Sequence, residues 1–457
     1  MRCAFLFASL FLVAAGCGAR AGDGVTGIPD PSIATSLPAS GDPMGARAAL
    51  AGVGVTYGAK YTGEALGNAS GGVKRGAAYD GLLSAYADAD LEKLWGWKGL
   101  ALHASGFQIH STSHFTADNL NSLVTSSNIE AFDSTLLFEL WLEQTFFDAK
   151  LSVRFGQLAA DTEFLGSDTA GLFIANTFGW AVFPSLNLPT GGPIYPLATP
   201  GVRLKIEPGD QFAALFAVYN GNPVEPGIDP PRSREKYGLG FRFDDPLLAI
   251  GELQWNYGHG AEATGLPGTI KVGGWHHFGT FDDQRFGTDG LSLSDAASNG
   301  IPAQVRGNYG IYGVIEQQLY RLPGGAPDKG ISAFARVFAG PSEQNPVDLY
   351  ADAGLVFSGF IPGRGDDVFG VALAYSKVSN RAIDLDNDAR GFGLAVPVRN
   401  YEAVLELDYQ AQLAPGWTLQ PMFQYIWHPG GHIENPSRPG TAIGDAAVFG
   451  LRTSINY

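Results

Sequence analysis

Eight histidines and 45 acidic residues are material for metal, nucleophilic or acid–base chemistry, but their spacing assembles none of these. His276 and His277 follow Trp275, yet successive residues of an extended chain face opposite sides, so the pair cannot hold one metal ion. Their expected role is interfacial or loop packing. His103, His110 and His114 stand at scattered spacings from Asp, no G-x-S-x-G elbow is present, and these imidazoles read as structural. The many glycines fall at turns or at strand positions with close neighbours, not in a phosphate-binding loop. No enzyme activity, cofactor or metal is expected. The charges that do carry a pattern lie in "FELWLEQTFFDAKLSVRFGQ" (138–157). Glu139, Trp141 and Glu143 alternate with Phe138, Leu140 and Leu142. Beyond Asp148-Ala149-Lys150, Ser152 and Arg154 alternate with Leu151, Val153 and Phe155. A helix would scatter these groups, whereas paired strands sort them onto an apolar and a polar face.

Which face meets water depends on the elements around the hairpin. Charged residues are 16% of the 457, against ~25% in ordinary globular chains, while aromatics reach 12% and Gly numbers 62. Such a composition suits sheets whose outer face meets lipid. The net charge of -16 argues against nucleic acid as a partner and disfavours an anion-selective pore. Beyond the N-terminal region no apolar run approaches ~18 residues, so a membrane would have to be crossed by a closed barrel. From Val53 to Tyr457 the chain offers 17 strand-like segments. Their connectors are short, as at Asp148–Lys150 and Asp244–Pro246, or long, as at His110–Asp133 and Ala159–Pro200. Bacterial single-chain barrels have even strand numbers, so one segment is false and 16 strands are expected. Turn parity places the fault near Gly258–Arg306 or at Val53–Glu64.

Glu402, Glu406 and Asp408 lie opposite Tyr401, Leu405 and Tyr409, and Glu252 lies opposite Leu253 and Trp255. Burying so many unpaired charges dry would cost several kcal/mol each, so this face is expected to line a wet lumen. Aromatics at strand ends would form the interfacial girdles.

Residues 1–21 read as a signal peptide, with Arg2 before an apolar run and a small-x-small site at Ala19–Ala21. Ala14-Ala15-Gly16-Cys17 offers a rival lipidation site, a poorer match because Ala14 stands where Leu is usual. Residues 22–47 read as a flexible periplasmic tether, and 48–457 as the barrel. The last strand, "AVFGLRTSINY", alternates Phe449, Leu451, Thr453, Ile455 and Tyr457 with small or polar residues. It is similar to the terminal signal read by the barrel-assembly machinery, with Tyr457 as its aromatic end.

Several stretches resemble the carbohydrate-selective porin family, OprB type. They are "LFELWLEQTFFDAKLSVRFGQLAADTEF" (137–164), "GLFIANTFG" (171–179), "SLNLPTGGPIYPLATPGVRLKIEP" (185–208), "GAAYDGLLSAYADADLEKLWGWKGLALHASG" (76–106), "GLPGTIKVGGWHHFGTFDDQR" (265–285) and "GNYGIYGVIEQQLYR" (307–321). The resemblance implies an all-β, 16-stranded antiparallel barrel in the outer membrane of a Gram-negative bacterium, set among its lipids. It also implies passage of monosaccharides and other small carbohydrates, with the loop 159–200 folded inward. The candidate pore-lining charges are Glu139, Glu143, Arg154, Asp161, Glu163 and Arg203. Trp141, Trp180 and Tyr195 are candidates for stacking on a sugar ring. The competing reading makes the charges scaffold pairs and the rings girdle or loop core. Functional alternatives are a general or weakly cation-selective diffusion porin, and a barrel enzyme or adhesin.

Overall fold

The computed structural model describes residues 27–37, 41–227, 234–259 and 265–457. The expected signal peptide and Cys17 lie outside them. Alternation along the chain becomes a wall with two faces. In β14 (Tyr401–Ala414), Glu402, Glu406, Asp408 and Gln410 are buried on the inside, while Leu405, Leu407 and Tyr409 are only partly covered. The other strands are β1 (Val55–Gly72), β2 (Gly76–Asp90), β3 (Leu100–Ser111), β4 (Ser134–Phe146), β5 (Leu151–Leu158), β6 (Thr199–Gly209), β7 (Phe212–Asn220) and β8 (Leu247–Tyr257). After them come β9 (Gly268–Gly287), β10 (Pro302–Arg321), β11 (Gly330–Ala339), β12 (Val347–Ser358), β13 (Val368–Val378), β15 (Trp417–Trp427) and β16 (Gly444–Asn456). Each pairs antiparallel with its sequence neighbours, and β16 pairs with β1 to close the barrel, so the sheet has no edge strand. No helix among the described residues is long and apolar enough to cross a membrane.

The surplus segment is Lys236–Phe243, at neither of the places expected. It alternates like a strand but forms no ladder and belongs to the 221–246 connection. Asp244–Pro246 therefore ends a long loop, which removes the parity conflict. β9 and β10 each run to 20 residues, so the expected breaks near 278 and 307 are strand.

Phe138 also departs from expectation. Its neighbours Leu140 and Leu142 face outward, but β4 gains a residue on β3 between the pairs Ala104–Leu140 and Gly106–Leu137. That bulge turns Phe138 inward, where it is 1% exposed and packs on Phe107 with centroids 4.5 Å apart. His277 is buried, 3.1 Å from the Gly221 carbonyl through Nε2 and accepting the Gly279 N–H at Nδ1.

The expected tether is packed over its described part. α1 (Ala46–Gly52) brings Arg47 over the rings of Tyr57 and Tyr457, at 4.4 and 4.5 Å, beside the closing β1–β16 seam. Ser32 is buried, and its hydroxyl donates to the Asn456 carbonyl at 3.4 Å. A cation held between two rings orders a segment whose composition alone suggests a flexible linker.

Candidate pore constriction

Strand register sets the site. Glu143 of β4 lies opposite Arg154 of β5, which lies opposite Arg203 of β6. Two arginines facing each other across strands would repel. Two carboxylates cancel that repulsion. Glu143 contacts Arg154 and Arg203 at 2.9 Å each, and Glu163, from the loop after β5, contacts both at 2.6 Å. The four form a ring of alternating sign and zero net charge. The arginine side chains are 4 and 3% exposed and the glutamates 12 and 13%, so the carboxylates are the part that reaches the lumen.

Trp141 supports the ring from behind. The Arg154 guanidinium lies 3.8 Å from its centroid, and the His103 imidazole stacks on it at 4.7 Å and 14°. His103 Nδ1 is in turn 2.7 Å from the carboxylate of Asp88.

The loop 159–198 enters the barrel because the wall supplies hydrogen-bond partners for its backbone. Irregular chain at membrane depth is tolerated only where such partners exist. Glu139 accepts the Ala159 N–H at 3.0 Å, just where the chain leaves β5. Glu252 accepts from Leu165 N–H and from the Tyr312 hydroxyl, and Glu316 from Ser167 Oγ and Thr169 N–H. Glu406 accepts from the amides of Ile174 and Ala175. Arg336, ion-paired with Asp352 at 2.5 Å, donates to the carbonyls of Leu165, Thr177 and Gly179. These partners sit on inner faces from β4 to β14, so the loop lies inside the barrel. Phe164, Phe173, Phe178 and Phe183 are its core.

The expectation of a wet polar face is therefore corrected for Glu252, Glu402 and Glu406, all at most 2% exposed. Loop amides and neighbouring hydroxyls satisfy them. Glu402 serves a second inward loop, 112–133, accepting from Leu123 N–H, Val124 N–H and Ser122 Oγ. Arg452 donates to Asn128 of the same loop at 2.7 Å.

Glu143, Arg154, Glu163, Arg203 and Trp141 are thus brought together. The other candidates are not in the ring. Glu139 is buried and Asp161 half-buried behind it, and Asp161 accepts the Tyr195 N–H at 3.1 Å. Burial, reinforced by nearby Glu139, pushes the Asp161 carboxyl up to about 7. Trp180 is 4% exposed in the loop core. Tyr195 packs on Phe107 and donates through its hydroxyl to the Ile129 carbonyl at 2.9 Å. Both faces of Trp141 are taken, so neither it nor Trp180 offers a free ring to a sugar. The sequence reading missed His103, Asp88 and the inward loop 112–133. His103 faces Trp141 only through the β3–β4 register, which no local pattern shows.

The model of the carbohydrate-selective porin, OprB family, matches residues 74–457. The chain belongs to this family. It is an outer-membrane porin of the Gram-negative type. Porin B of Pseudomonas aeruginosa is 27% identical over 441 residues, covering 90% of this chain and 89% of that protein. A putative porin, QuiX, of Acinetobacter baylyi is 23% identical, covering 91 and 92%. The high-pH structure of Pseudomonas putida OprB shares the fold at a TM-score of 0.78 and 22% identity, covering 92% of this chain and 98% of that one.

Proposed function

We propose that the Glu143–Arg154–Glu163–Arg203 ring is the solute-sorting constriction of this porin, and that it passes small neutral hydrophilic molecules, monosaccharides and other small carbohydrates first. The observation that carries this reading is the ring's pairing. Each charge already has two partners of opposite sign, so a free ion of either sign gains little there. A hydroxyl-rich solute can exchange hydrogen bonds with carboxylate edges at no cost in net charge. The family supports carbohydrates as the solute class.

A general, weakly cation-selective pore is the second reading, favoured by the greater exposure of the two carboxylates. Purified protein in planar bilayers tests both. On the first reading, added monosaccharide blocks the ion current, and replacing 159–198 by a short turn raises conductance and abolishes the block. A current insensitive to sugar, with a reversal potential favouring K+, supports the second. Absence of steady current would return the chain to an adhesin or barrel enzyme. Export by residues 1–21, lipid contact by the outer face and recognition of the Tyr457 strand by the assembly machinery complete the proposal.

A further inference from the structure

β5 has eight residues. At about 3.3 Å per residue and a tilt of about 45°, it covers roughly 19 Å of an apolar band about 25 Å tall. The chain leaves β5 at Ala159, drawn inward by Glu139, while β4 continues upward from Leu140 to Ser134 without β5 beside it. The wall has a notch there, and residues 235–243 lie across it. The Leu137 N–H donates to the Tyr237 carbonyl at 3.0 Å, and Gln157 Nε2 donates to the Gly238 carbonyl at 2.9 Å. Gly238 has φ +66°, and a Cβ there would stand 1.9 Å from the Leu137 carbonyl oxygen, so only glycine permits this approach. The other end is fixed by Arg242, whose Nε and Nη2 reach Asp245 at 3.0 Å each, with Asp245 bound to Asn220 at the top of β7.

The strap is pinned at both ends, yet its large side chains are uncovered. Tyr237, Leu239, Phe241 and Phe243 are 56, 60, 38 and 79% exposed. They continue the exposed apolar surface of Leu140, Phe155, Val202 and Leu247 on the strands beside it. At the far end of the strap, Lys236 Nζ is 5.6 Å from the Tyr237 ring, a cation and an aromatic side by side as at a membrane–water boundary.

We propose that residues 235–243 are a lipid-docking strap. Tyr237, Leu239, Phe241 and Phe243 enter the acyl region of the outer leaflet and restore the apolar height that β5 lacks, with Lys236 at the headgroup phosphates. The occupant is the lipid surface, because the strap continues the lipid-facing band and ends in an interfacial Lys–Tyr pair.

The test uses full-length chain with Cys3→Ser and Cys17→Ser, carrying Leu239→Cys or Phe243→Cys labelled with bimane. Leu253→Cys serves as the lipid-facing control and Ala297→Cys as the aqueous one. Folded protein, selected by heat-modifiable migration, is placed in phosphatidylcholine–phosphatidylglycerol vesicles with acyl-chain doxyl lipid or with aqueous iodide. Doxyl lipid is expected to quench positions 239 and 243 at least twofold more than iodide does, as at 253. Quenching that follows the pattern at 297 overturns the proposal. So does thiol cross-linking of 243 between two copies, which would assign the strap to a second chain. Both labelled residues are exposed and touch no pinning contact, so failure of both variants to fold would also overturn it.

Discussion

The Trp141 ring lies between Arg154, 3.8 Å from its centroid on one side, and His103, at 4.7 Å on the other. The tryptophan thereby fixes where the guanidinium can stand, and the guanidinium fixes Glu143 and Glu163. Replacing Arg154 by Ala leaves both carboxylates to share Arg203. The expected outcome is a few-fold rise in K+ over Cl− permeability, read from the reversal potential in a KCl gradient. An unchanged reversal potential would place the selectivity elsewhere in the lumen.

His103 acts on the ring only through Trp141. His103→Ala should loosen Arg154, raising open-channel current noise and lowering stability by about 1–2 kcal/mol. His103→Phe keeps a flat ring against Trp141 while losing the bond to Asp88, and should restore quiet current. Equal noise in the two variants would show that the Asp88 contact, not the stacking, does the positioning.

Arg336 and Asp352 are fully buried and tie the inward loop to β11 and β12. Arg336→Leu strands the carboxylate and frees three loop carbonyls, so a loss of about 3–5 kcal/mol is expected, seen as a lower temperature of the heat-induced gel shift. Adding Asp352→Leu should recover part of that loss, because no unpaired charge then remains. If the double variant is no more stable than the single, the lost carbonyl contacts dominate.

Asp161 gives the loop a dependence on pH. Its folded pKa, about 7, stands above the ordinary carboxylate value, so the folded protein holds this proton more tightly than the unfolded chain. The stability it contributes is complete below about pH 4 and is lost as pH rises through about 7. The unfolding midpoint should fall between pH 5 and pH 8, and Asp161→Asn, neutral throughout, should flatten that fall. A wild-type slope retained in the variant would assign it to another group.

Tyr457 exchanges backbone hydrogen bonds with Ala59, at 2.7 and 2.8 Å, and offers its ring to Arg47. Deleting it should lower the yield of heat-modifiable barrel. Arg47→Ala should leave that yield closer to normal while exposing residues 27–47 to protease. Equal losses in both variants would mean that the cation, not the terminal strand, governs assembly.

The barrel, its strand number and most strand faces were legible in the sequence because a strand's two faces are a property of neighbours in the chain. Leu253 and Trp255 against Glu252 need no partner to be sorted. The inward course of 159–200 was an expectation of the family resemblance, not of any local pattern. Lys236–Phe243 misled the reading of alternation, since a pinned strap can alternate as cleanly as a paired strand. The bulge that turns Phe138 inward left no local mark either.

The tertiary structure decided which charges join the Glu143–Arg154–Glu163–Arg203 ring. Glu139, Glu143, Asp161 and Glu163 are all carboxylates near one hairpin, and nothing in their spacing separates the two that pair with Arg154 and Arg203 from the two that hold loop amides. That choice rests on strand register and on the path of the loop across the lumen, both set by contacts between residues far apart in the chain. For the same reason the buried Glu402 and Glu406 looked wet in sequence. Alternation tells which way a side chain points, but only the folded loops determine whether water or a backbone N–H waits there.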